Sequence, residues 1–112
     1  MNALFIELPA FERQRARYFN DDEFRRLQSI MMENPTAGDL IRETGGLRKL
    51  RYRDQRRGKG KRGGLRVIYY FWSPGSEFWL FTLYDKDEMA DLSTKERAAL
   101  RALVKRELET RS

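Results

Sequence analysis

Two runs of strand-forming residues, Leu65 to Trp72 and Phe78 to Tyr84, are separated only by the turn Ser73-Pro74-Gly75-Ser76 and Glu77. Val67, Ile68, Tyr69, Tyr70 and Phe71 follow one another with no polar interruption. A strand of that kind needs apolar cover on both faces, and the turn residues bring its partner back antiparallel. The two strands are therefore expected at the centre of a sheet, with Trp72 and Trp79 packing across the hairpin. Upstream, Leu47 to Arg53 reads as a third antiparallel strand in which Leu50 and Tyr52 alternate with basic residues, giving one apolar and one cationic face.

The remaining segments supply cover for that sheet. Leu4 to Leu8 reads as a short strand ended by Pro9, and Ala10 to Phe19 as a helix with Phe11, Ala16, Tyr18 and Phe19 as its apolar members. Asn20 and the acids after it suit a helix N-terminus, and Phe24, Leu27, Ile30 and Met31 recur at helical spacing over Asp22 to Glu33 until Asn34-Pro35. A loop through Thr36 to Asp39, then Leu40 and Ile41, leads to a Gly45-Gly46 break. The last helix begins at Ser93-Thr94-Lys95-Glu96, a Ser-x-x-Glu capping box, and aligns Leu100, Leu103, Val104 and Leu108. The expectation is an α+β fold: a small antiparallel or mixed sheet of about four strands, two N-terminal helices and a C-terminal helix, with residues 1–112 as one domain.

Charge is distributed very unevenly. From Arg48 to Arg66 ten Lys/Arg residues face one acid, Asp54, and four glycines are interleaved; the window carries +9 while the chain of 112 residues carries +6, leaving −3 elsewhere. A focused positive field on a segment whose glycines allow close approach suits a polyanion such as nucleic acid; a solvated basic loop is the plainer alternative. The chain has no cysteine and no histidine, which removes disulfides, the usual zinc sites and imidazole chemistry, so neither a metal nor a cofactor is expected. The apolar run near the start is short and ends at Glu7, so neither a signal peptide nor a membrane span is read, and a cytoplasmic protein is expected.

Several motifs together resemble the RelE/ParE toxin superfamily, and within it the HigB2 branch of RelE-like toxins. They are Gly38-Asp39-Leu40-Ile41, Thr44-Gly45-Gly46-Leu47-Arg48-Lys49-Leu50-Arg51, the run from Gly58 to Tyr70 containing GKGKRGG-x-R-x-x-Y-Y, and Leu83-Tyr84-Asp85-Lys86-Asp87-Glu88 with Asp91-Leu92-Ser93. The resemblance implies the toxin of a type II toxin–antitoxin pair that cleaves mRNA in the ribosomal A site. Its implied partners are the ribosome, mRNA and a small DNA-binding antitoxin of the HigA kind. A sister branch, resembling ParE, poisons DNA gyrase instead. That function, or noncatalytic nucleic-acid binding, is the alternative.

Metal-free RNA cleavage uses the ribose 2′-hydroxyl as nucleophile, so the protein must assist proton removal, stabilise the phosphorane and protonate the leaving 5′-oxygen. Arg66, at the start of the most ordered strand, is the first candidate for the phosphate, because a forked guanidinium matches two of its oxygens. Lys59 and Lys61 are candidates for phosphate binding or, with their pKa lowered by crowding, for proton transfer; Glu88 is a rival base. Lys86, at the exit of the second hairpin strand, is the candidate for the leaving oxygen, or else an exposed lysine paired with Asp85 or Glu88. Arg48, Arg51, Arg56, Arg57 and Arg62 are expected to bind RNA. Alternation puts Tyr70 on the same strand face as Arg66 and Ile68, which makes it the aromatic expected to approach a base.

Overall fold

The computed structural model describes residues 2–53 and 64–111. A five-stranded sheet runs in the order β1-β5-β4-β3-β2, built from β1 (Leu4–Glu7), β2 (Asp39–Leu40), β3 (Arg48–Tyr52), β4 (Leu65–Trp72) and β5 (Glu77–Asp85). β1 is parallel to β5 and the other pairings are antiparallel, so the sheet is mixed. The expected hairpin lies inside it, as its two-sided apolar character requires. The strand absent from the expectation of about four is β2, whose two residues pair with Arg48 and Lys49. Two residues are too few to leave a periodic signal.

Helices α1 (Pro9–Tyr18) and α2 (Asp21–Glu33) cover one face, and α3 (Thr94–Glu109) covers the other. Pro9 opens α1, since its missing N–H is an orphan there in any case. Asn20 and Glu23 close a reciprocal capping box at α2, with bonds of 2.8 and 2.9 Å, and Ser93 and Glu96 do the same at α3. On the α1/α2 side Phe11, Leu27 and Met31 meet Leu65, Val67, Tyr69, Phe78 and Leu80. On the α3 side Leu100 and Val104 meet Ile68, Trp79 and Phe81.

One irregularity matters for function. Ile68 pairs with Thr82 but Tyr69 pairs with Leu80, so Phe81 is an extra residue in β5. This bulge breaks strict alternation: Trp79, Phe81 and Tyr84 all belong to the α3 side, while Phe78, Leu80 and Leu83 belong to the other. Tyr84 is thereby brought onto the face of β4 that carries Arg66, directly opposite it.

Gly45 and Gly46 lead into β3 with φ of +77° and +114°, values a side chain rarely adopts. A Cβ on Gly46 would also lie 3.0 Å from the Tyr70 ring. That ring stacks on Trp79 with centroids 4.9 Å apart, and Trp72 stacks on Trp79 at 6.2 Å, as expected for the hairpin. No helix among the described residues is long and apolar enough to cross a membrane.

Candidate nucleic-acid interface

β3 ends, β4 begins and β5 ends at one edge of the molecule, and the basic segment between Arg53 and Gly64 joins the first two. Lys59, Lys61, Arg56, Arg57 and Arg62 lie outside the described residues. What the described residues build there is a row across three strands: Arg51 of β3 opposite Arg66 of β4, and Arg66 opposite Tyr84 of β5. The side chains of directly opposed residues share a face, here the α3 side. The parallel row one step further in is Lys49, Ile68 and Thr82, so Lys49 lies on the same face as Arg51. The alternation of Lys49 and Arg51 was available in the sequence and identifies Lys49 as a site residue that composition alone did not single out.

Arg66 is only 4% exposed. Its Nη1 donates to the carbonyls of Leu65 at 3.2 Å and Gly64 at 3.5 Å, which turns the guanidinium back along its own strand end. Burial pushes its pKa down, and the like charge of Arg51 pushes the same way; Tyr84 and Asp85 oppose both. Asp85, on the α1/α2 side of the same edge, is fully buried and accepts the Asp87 amide at 2.8 Å. The Asp85 carbonyl takes the amides of Glu88 and Met89, each at 3.0 Å, and the Lys86 amide donates to Gly64 at 3.2 Å. The chain after β5 is thus tied by its backbone to the start of β4, and the Lys86 side chain is exposed.

The other candidates divide. Glu88 forms an ion pair with Arg17 of α1 at 3.6 Å, drawing it toward the α1/α2 side and away from the Arg51–Arg66–Tyr84 row. Arg48 sits at the far end of β3, where its Nη1 donates to Gly38 at 2.8 Å and Thr36 at 3.3 Å, bracing the loop before β2. Tyr70 shares the Arg66 face, as alternation predicts, but stands four residues along β4, about 13 Å away, with its ring against Trp79 and Gly46. From the expected set the structure sets Arg51 opposite Arg66, with Lys49 and Tyr84 on the same face, ties the Lys86 backbone to Gly64 at that end, pairs Glu88 with Arg17, and gives Arg48 and Tyr70 other contacts further along the sheet.

Two buried tyrosines in this sheet contrast sharply. Tyr69 donates its hydroxyl to Pro35 at 2.8 Å and accepts the Gly38 amide at 3.1 Å, as a buried phenol ordinarily does. The Tyr84 hydroxyl is buried with no hydrogen-bond partner among the described residues, and burial together with Asp91 pushes its pKa up to about 12. Among the described residues no three acidic side chains converge to hold a metal ion.

No family model matches the sequence. Among solved structures, the chain is similar to the E. coli toxin RelE, in the free state of a form with two arginines replaced by alanine. The TM-score is 0.55 and the identity 11%, over 80% of this chain and 90% of that one. The fold, a mixed sheet between a pair of N-terminal helices and a C-terminal helix, is RelE-like.

Proposed function

We propose that residues 1–112 form the toxin of a type II toxin–antitoxin pair, a cytoplasmic, ribosome-dependent endoribonuclease of the HigB2 kind that cleaves translated mRNA and is neutralised by a HigA-like antitoxin. The observation that carries this reading is Arg66: a buried guanidinium held at a strand end, facing a second arginine across the sheet, on a RelE-like fold. Two arginines pressed together in a site that already disfavours charge are stabilised by an anion, and a transferring phosphoryl group is the anion whose charge grows during reaction.

In this mechanism the RNA 2′-hydroxyl attacks the adjacent phosphorus, the P–O5′ bond breaks, and a 2′,3′-cyclic phosphate and a 5′-hydroxyl result. Arg66, with Arg51 and Lys49 behind it, carries the phosphorane charge. Lys86 protonates the leaving 5′-oxygen. Lys59 or Lys61 assists removal of the 2′-proton; Glu88 would have to leave Arg17 to do so. With no histidine in the chain and no well-placed carboxylate base among the described residues, the ribosome supplies much of the alignment of hydroxyl and phosphate in this reading.

Primer extension on messages from cells after brief expression tests the reading. Cuts phased with codons within translated regions support it. Intact messages in arrested cells, with gyrase inhibited instead, would replace it with a ParE-like activity. Efficient cleavage of naked RNA by the purified protein would remove the ribosome requirement.

A further inference from the structure

Asp91, between β5 and α3, occupies a place suited to a phosphate. Its Oδ1 stands 3.7 Å from Lys49 Nζ and its Oδ2 stands 3.6 Å from Arg97 Nη2. Both separations exceed hydrogen-bond length, so a single carboxylate is stretched between two cations, on β3 and α3. Its one short contact is local, the Leu92 amide donating to Oδ1 at 2.8 Å. The Asp91 side chain is 51% exposed, against 24% for Lys49 and 30% for Arg97, so the acid is less enclosed than the cations it faces.

Two further polar atoms at this place are buried without a hydrogen-bond partner among the described residues: the Tyr84 hydroxyl and Arg97 Nε. Buried donors left unmade are costly, and native proteins keep few of them. Arg97 is one of the two cations that face Asp91, and the charges of Asp91 and Arg97 both act on the Tyr84 hydroxyl. A cleft of about 190 Å³ opens beside Arg97, with Lys49, Arg51, Arg97 and the two acids Asp39 and Asp91 in its wall. Arg51 connects it to Arg66 across the sheet.

We propose that Asp91 is a resident counterion of the RNA site: it holds Lys49 and Arg97 in the free protein and yields them to an RNA phosphate, whereupon the Tyr84 hydroxyl donates to the released carboxylate. This rests on the RNA-cleaving reading above and adds to it a pair of positioning residues that do not touch the reacting atoms. The exchange replaces two loose ion pairs by charge-assisted bonds to phosphate and gives one orphan donor a partner.

Binding of a single-stranded RNA made uncleavable by 2′-O-methylation, followed by fluorescence anisotropy against salt, tests this without requiring turnover. Asp91→Ala should bind the RNA about threefold to tenfold more tightly, the range expected for removing one exposed competing charge. Its affinity should also fall more steeply with salt, since more cationic charge is available to phosphate. Tyr84→Phe should weaken binding in the native background and have no effect beside Asp91→Ala, because the hydroxyl acts only through that carboxylate. Melting curves verify folding, and Asp91→Asn, nearly the same shape, takes the place of Asp91→Ala if the latter unfolds. Unchanged or weaker binding on loss of the Asp91 charge, or a Tyr84→Phe effect equal in both backgrounds, overturns the counterion role and leaves the cleavage reading intact. Failure of the unaltered chain to bind RNA on or off the ribosome overturns both.

Discussion

The two ends of the β4–β5 hairpin handle charge in opposite ways. At the turn end, Glu77 accepts from Trp79 Nε1 at 2.9 Å and from Arg111 at 2.8 and 3.1 Å, and Arg111 also reaches Glu107 at 3.0 Å. The Arg111 guanidinium lies 4.3 Å from the Trp79 ring centroid and 5.7 Å from that of Trp72, so it is stacked as well as paired. At the open end, Arg66 is opposed by Arg51, Lys49 has Asp39 opposite it on β2, and the Asp91 carboxylate beside Lys49 is shared with Arg97. Hydrogen bonds to Glu77 raise the pKa of Arg111, whereas burial first, and the like charge of Arg51 second, lower that of Arg66. Charge balanced within the chain ties the C-terminal helix to the hairpin, whereas two like charges face each other where the proposed function seats a phosphate.

Four experiments would break or sharpen that contrast. The largest effect is expected at Arg66. Arg66→Lys keeps the charge but loses the fork, and cleavage on programmed ribosomes should fall by about 100-fold or more, the scale of losing one positioned charge stabiliser. Melting curves establish that the variant is folded, since the lysine cannot keep both carbonyl bonds of the buried guanidinium. Retained cleavage would remove Arg66 from the site. Arg111→Ala should do the reverse: a loss of about 2 kcal/mol from two charge-assisted hydrogen bonds and the stacking, seen as a drop in Tm of roughly 10 °C, with cleavage per folded molecule unchanged.

Smaller effects follow for the supporting cations. Lys49→Gln and Arg51→Gln should each weaken RNA binding and lower the slope of log affinity against log salt by about one. An unchanged slope would mean that these side chains do not meet phosphate. The smallest effect concerns pH at the turn end. The Trp79 N–H and then Arg111 hold the Glu77 carboxyl below its ordinary value of 4.5, so its stabilisation is complete above that value and disappears as pH falls through the lower folded value. Denaturant titrations should therefore find Glu77→Gln less stable than the unaltered chain at pH 7 and equal to it at pH 2. A constant difference would show that the contribution is packing and not charge.

Much of this architecture can be read from short stretches. Pro9, the Asn20–Glu23 box and the Ser93–Glu96 box announce three helix starts, and the apolar runs announce the hairpin, because capping and periodicity depend on residues within a few positions of one another. Arg66 was legible for the same reason: it is the last cation before a continuous apolar strand. Arg48 illustrates the limit, since its run reads as RNA-binding yet its guanidinium braces carbonyls ten and twelve residues away. Tyr70 is the same case in another form, with the right strand face but a ring claimed by Trp79.

By itself, then, the sequence determined every element but the two-residue β2, their order, the hairpin's central place and the concentration of cations at one strand end. The tertiary structure alone decided which side chains stand beside those cations. The bulge at Phe81 turns Tyr84, and not Leu83, toward Arg66, and the seating of α3 on that face sets Asp91 between Lys49 and Arg97. Both depend on how a strand registers against its neighbour and where a helix packs, and such long-range choices leave no mark in the local periodicity of the chain.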